Sequence, residues 1–238
     1  MAPLENSRFT RSLWLTFALA TMLIPITAAA ADRRQSTVVE LFTSQGCSSC
    51  PPANANIIEL STHSNILALS YGVTYWDRLG WKDTFARPEF TERQVAYEKP
   101  LGQSGPFTPQ VVVDGRANTV GNALAPLEAL ISESHRDNAP DVHIRGAAVS
   151  IGVGAAPAGG ADIWLVRYDP RLVEVPVRRG ENRGRTLHYK NVVHELALIG
   201  SWTGEAAALS LPEGERDLRS AILIQVRRGG PIVAATSD

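Results

Sequence analysis

TSQGCSSCPPA, residues 43–53, holds both cysteines of the chain, Cys47 and Cys50, with two serines between them. The stretch stands at a junction. Before it runs STVVELFT (36–43), a β-branched segment that reads as a buried strand. After it, ANANIIELSTHS (53–64) carries apolar residues at helical spacing. A thiol between a strand and a helix faces the helix's unpaired N–H groups and the positive end of its dipole. Those favour the thiolate, which is the nucleophile. The short spacer lets one sulfur reach the other, so Cys47 is expected to attack and Cys50 to resolve the mixed disulfide. Pro51 and Pro52 suit a first helical turn, where a missing N–H costs least.

The N-terminus bears on compartment. Arg8 and Arg11 precede an apolar run from Leu13 to Ile26, and small residues follow from Ala28 to Ala31. Residues 1–31 therefore read as a cleaved signal peptide, and the protein as periplasmic or secreted. A disulfide persists in such a compartment. No second apolar run is long enough to cross a membrane, so no membrane span is expected after cleavage. The formal net charge of −1 argues against a general nucleic-acid binder.

Two patterns divide the chain. Over 36–138, strands at 36–43, 65–73 and 108–118 alternate with helices at 53–64, 87–102 and 122–136. This predicts an α/β domain, its sheet covered by helices. Over 140–238 the segments 142–153, 162–168, 172–179, 186–198, 205–211 and 219–227 are all strand-like, with Gly and Pro turns between them. They predict a smaller antiparallel β-sandwich or barrel domain.

The C-x-x-C pair, the strand Val38 to Phe42, and Thr108-Pro109 directly before the strand Gln110 to Asp114 together resemble the thioredoxin superfamily over about residues 36–136. The resemblance implies a thioredoxin-like domain in which Pro109 is cis and, with Thr108, holds substrate beside Cys47. The stretches VVELFTSQGCSSCPPA, YWDRLGWKD, FTPQVVVDG and RGENRGRTLHYKNVV extend the likeness over nearly the whole chain. They resemble a family of secreted bacterial proteins known as a domain of unknown function with a thioredoxin-like fold. The chain departs from both patterns. Gly46 stands where thioredoxins carry tryptophan, and Ser48-Ser49 fill the spacer. Gly72, Val73 and Thr74 stand where that family often has His-Val-Asp.

Further candidates follow. Glu40 lies on the strand before the motif, where the resemblance implies a buried acid that moves the proton of Cys50; burial would raise its pKa. Tyr75 and Trp76, in the aromatic stretch 73–88, could form a binding wall or simply cover the core. Arg178, Arg179, Arg183 and Arg185 cluster in a glycine-rich turn that could hold an anion or be a solvated tip. The five histidines show no ligand spacing, and no structural zinc site, P-loop or Ser-His-Asp pattern stands out.

The leading expectation is a thiol–disulfide oxidoreductase that needs no cofactor or metal and acts on protein or peptide thiols and disulfides. Two others stay open. One is a binding module whose disulfide is only structural. The other is a Cu(I) carrier using two thiolates. A disulfide that closes so short a loop constrains the unfolded chain little, which favours the redox reading over a staple.

Overall fold

The computed structural model describes Met1, residues 36–136 and residues 138–238. The predicted signal segment lies outside the described residues, Met1 excepted. The first half holds β1 (Thr37–Thr43), α1 (Pro51–Leu60), β2 (Ile66–Gly72), a 3-10 turn (Asp77–Leu79), α2 (Pro88–Ala96), β3 (Gln110–Val113), β4 (Ala117–Thr119) and α3 (Leu124–Glu133). The second half holds β5 (Val142–Arg145), β6 (Ala148–Ile151), β7 (Ala161–Asp169), β8 (Val173–Pro176), β9 (Thr186–Tyr189), β10 (Val192–Trp202), β11 (Ala207–Ser210), β12 (Arg219–Val226) and β13 (Ile232–Ser237). Among the described residues no helix is long and apolar enough to cross a membrane.

The expected α/β character is present, as a mixed, sheet-rich α/β structure. Eight strands form one sheet in the order β13-β12-β7-β10-β2-β1-β3-β4. β1 and β2 run parallel, from Thr37↔Ile66 to Thr43↔Gly72, and β3 pairs antiparallel to β1. Strand alternation sorts the side chains of β1. Val38 and Phe42 join Leu69, Tyr71, Phe90 and Tyr97 on the α2 face. Val39 and Leu41 meet Ala53, Ile57 and Leu127 of α1 and α3 on the other.

The C-terminal strands differ from the expectation of a sandwich standing apart. β10 continues the sheet beside β2 through Val192↔Ser70, and β7, β12 and β13 follow it. Val166, Tyr168 and Leu223 lie in the same buried cluster as Phe42 and Tyr71. Ile163, Leu165, Ile222 and Ile224, on the opposite face, are covered by a three-stranded sheet, β11-β6-β5, and by Trp202. Physically, β7 and β12 are apolar on both faces, so each face needs its own cover. The strand 219–227 is followed by β13, which the sequence reading left out. Segment 142–153 is a hairpin turning at Gly146 (φ 59°), and 186–198 breaks at Asn191 (φ 50°) into β9 and β10.

Two features aim this scaffold at the cysteines. Gly72 ends β2 where the chain of the aromatic stretch passes close; a Cβ there would lie 2.8 Å from Ala86 N and from Phe85 C. Beside it, β8 and β9 pair into a hairpin of their own. Val175, Val177, Leu187 and Tyr189 of this hairpin and its flanks pack with Trp81 and Phe85. The hairpin is thus welded to the aromatic stretch by a small core separate from the main one.

Candidate functional site

Cys47 and Cys50 are joined as a disulfide, with their Cα atoms 5.4 Å apart, and both residues are fully buried. Cys50 is the N-cap of α1, and proline fills the first turn as expected. A tight turn shapes the loop: Cys47 N–H donates to Ser44 O (3.1 Å) and Cys50 N–H to Cys47 O (3.3 Å). Ser49 Oγ lies 3.4 Å from Cys47 Sγ.

Gln45, buried beside the pair, ties the loop to the aromatic stretch. Its N–H donates to Asp83 Oδ2 (2.6 Å) and its Nε2 to Thr84 Oγ1 (2.8 Å). Its Oε1 accepts from Trp81 Nε1 (2.8 Å) and from Thr84 N–H (3.2 Å). Asp83 also accepts from Phe85 N–H (2.8 Å). Burial raises the Asp83 carboxyl above its ordinary value, against the backbone hydrogen bonds that favour its charge.

The predicted wall residues lie together. Trp76 sits at the motif, since a Cβ on Gly46 would come within 3.3 Å of Trp76 Cβ. Trp76 Nε1 donates to Thr108 Oγ1 at 2.8 Å, and the Thr108–Pro109 bond is cis. So Trp76, Thr108 and the cysteine loop come together. Tyr75, like Trp76, packs half-buried against the main core; burial raises its phenol, with Gln94 and Thr108 acting the other way.

Glu40 is fully buried and lies in an ion pair. Arg93 of α2 grips its carboxylate with two bonds, Nε to Oε1 (2.6 Å) and Nη2 to Oε2 (3.1 Å). Tyr97 OH donates to Oε2 as well, and Gln225 closes the network on Arg93 and Tyr97. Burial works against the charge of Arg93, but the Glu40 carboxylate more than offsets it and holds the guanidinium protonated. Both oxygens of Glu40 are therefore committed to α2 rather than to Cys50.

The arginine-rich turn folds back onto the motif. Asn182, fully buried, donates through Nδ2 to Gln45 O (3.0 Å) and Cys47 O (2.8 Å). Glu181 Oε2 accepts from both Ser48 N–H (3.2 Å) and Ser48 Oγ–H (2.7 Å). Gly180 (φ 75°) passes Trp81 so closely that a Cβ would lie 3.3 Å from Trp81 Cβ. The sequence singled out the arginines, yet the residues that touch the motif are Glu181 and Asn182. Among the described residues no group of three or more His, Cys, Asp and Glu is placed to hold a metal.

With this geometry in view, the likeness to known proteins is specific. The family described as "Protein of unknown function (DUF1223)" matches residues 38–225. The chain belongs to that family. The match runs from β1 through the cysteine motif, the aromatic stretch and the covering hairpin into β12. The chain is also 30% identical to protein AGR_C_4864 from Agrobacterium tumefaciens, whose crystal structure matches with a TM-score of 0.71 over 87% of this chain and 95% of that one. HBP35 of Porphyromonas gingivalis, 15% identical, matches with a TM-score of 0.58 over 86% and 75%. At that identity the likeness concerns the fold alone. No curated protein matches the chain.

Proposed function

We propose that this member of the DUF1223 family is a thiol–disulfide oxidoreductase of the periplasm or extracellular space. Its N-terminal half is a thioredoxin-like unit, and its C-terminal strands brace and cover the site. The observation that carries the reading is the placement of the only two cysteines. They are bonded to each other at the point where β1 hands over to α1, with Trp76 and Thr108 alongside.

In the oxidising direction a substrate thiolate attacks Cys47 Sγ. The Cys47–Cys50 bond breaks, and Cys50 leaves as a thiolate that takes up a proton. A second substrate thiolate then attacks the substrate sulfur of the mixed disulfide and releases Cys47 as a thiolate. The substrate gains a disulfide and the protein pair is reduced. Trp76, Tyr75, Thr108 and Pro109 line the substrate side. Glu40 serves as counter-ion to Arg93 and carries no proton for Cys50 in this mechanism. The substrates are protein or peptide thiols and disulfides.

The test is trapping. Cys50→Ser should accumulate mixed disulfides through Cys47, seen as reductant-sensitive adducts on a gel, and Cys47→Ser should give none. Absence of adducts from both variants would sink the reading. The full burial of both cysteines favours a second one, a binding module with a structural disulfide. It predicts that Cys47→Ser loses stability while the protein's surface chemistry is unchanged.

A further inference from the structure

Ser48 is an exposed residue inside the C-x-x-C spacer, and its two donors are spent in an unusual way. Both its N–H and its hydroxyl point at one carboxylate oxygen, Glu181 Oε2. That carboxylate comes from far along the chain, on the tip that covers the buried pair. Next to it Asn182 holds the loop through the Gln45 and Cys47 carbonyls, and Arg185 Nη1 steadies Asn182 Oδ1 at 2.8 Å.

The surroundings are cationic although the chain as a whole is near neutral. Arg178, Arg179, Arg183 and Arg185 are all exposed on the tip. Gly180 lies against Leu79 and Trp81, whose sequence neighbours Arg78 and Lys82 are exposed. Three acids share the two segments with these six cations. Asp77 accepts from Asp83 N–H, Asp83 is buried on the Gln45 and Phe85 amides, and Glu181 sits on Ser48. Two segments rich in exposed cations meet beside a pair of donors already filled by a carboxylate, which describes a carboxylate site with its occupant in place.

We infer that Ser48 is a carboxylate-binding subsite of the exchange centre, occupied at rest by Glu181 and taken over by the carboxylate of an anionic thiol or disulfide substrate. This rests on the oxidoreductase reading above. On this inference the fully buried pair is reached when the tip moves aside. A substrate that replaces Glu181 on Ser48 and engages the arginines lowers the cost of that movement. A cationic substrate meets these cations and finds the subsite filled. Once the tip is displaced, the anionic thiolate attacks Cys47 Sγ, the Cys47–Cys50 bond breaks, and Cys50 leaves as the thiolate.

The test uses two small thiols of opposite charge, glutathione and cysteamine, at matched thiolate concentration. Reduction of the Cys47–Cys50 pair is followed by alkylating free thiols. At low salt glutathione should react about tenfold faster or more, and the ratio should collapse at roughly 1 M salt as screening sets in. Ser48→Ala should cut the ratio severalfold, and Glu181→Gln should speed reduction by glutathione. Equal rates for the two thiols overturn the selection and leave the exchange reading standing. A ratio that survives Ser48→Ala overturns the subsite and assigns the preference to the arginines alone. Reduction by neither thiol, with ready reduction once the protein is unfolded in urea, overturns the exchange reading and this inference with it.

Discussion

Glu40 and Arg93 carry opposite charges in a place that water does not reach, with side-chain exposures of 0% and 4%. Neither charge is tolerable there alone, because desolvation of an unpaired ion is costly. Arg93→Met or Glu40→Leu should each cost about 3–5 kcal/mol in urea unfolding, and the double variant Glu40→Leu/Arg93→Met clearly less than their sum. Near-additive losses would show that the two groups do not act as a pair. Asp83 poses a different question. Its carboxyl titrates above the ordinary value because it is buried. The native state therefore holds this proton more tightly than the unfolded chain does. Its contribution to stability is greatest at low pH and falls as pH rises from about 4 through the raised value. The stability gap between the protein and Asp83→Asn, from urea titrations across that range, should shrink as pH rises; a gap that widens contradicts the assignment. The place of Cys47 and Cys50 between a strand and a helix was legible from their spacing, and the cis Thr108–Pro109 bond from the thioredoxin resemblance. Arg93, Gln45, Asp83 and Asn182 were not. Their roles come from pairings such as Gln45 with Asp83, 38 residues apart, and Asn182 with Gln45, 137 apart, which no local pattern encodes.

The hairpin of β8 and β9 is the element that ties the second half of the chain to the cysteine loop. Its core contacts are the side chains around Trp81 and Phe85, and its tip is held by Asn182. Asn182→Ala would take a donor from two buried carbonyl oxygens, leaving Cys47 O its 3.3 Å bond from Cys50 N–H, a loss of about 1–3 kcal/mol. It should also raise hydrogen exchange at residues 178–185 and speed alkylation of the reduced Cys47; unchanged exchange at the tip would mean that Asn182 does not hold it. Gly72 acts one element away. A Cβ there meets backbone rather than a yielding side chain. Gly72→Ala should therefore push residues 85–86 off β2, lower Tm, and loosen the Gln45 contacts as well. Most strands and all three helices were readable from periodicity. The hairpin's docking was not, because a glycine-rich arginine turn carries the same signal whether solvated or pressed against a neighbour.

At the scale of the molecule, one sheet runs through both halves. The change of pattern near residue 139 is real in the sequence: helices end there and short strands begin. It does not divide the packing, because Tyr71 and Phe90 share a buried cluster with Val166, Leu223 and Ala235. The α/β class was therefore legible, while the continuity of the sheet was not, since strand periodicity says which face is buried and not which strand lies alongside. The protein should unfold in a single transition, with tryptophan fluorescence and circular dichroism coinciding. A chain ending at residue 138 should fail to fold, lacking the partner strand of β2 and the cover for Tyr71. Two separated transitions, or a folded 36–138 fragment, would contradict the shared core.

The working role proposed for the Cys47–Cys50 pair is tested most directly by its reduction potential. The protein is equilibrated in glutathione buffers, free thiols are trapped by alkylation, and the oxidised fraction is read. A working exchange pair predicts a value between about −120 and −230 mV. A value below about −300 mV, together with no insulin reduction, would contradict it and leave the disulfide as a structural brace beneath the hairpin.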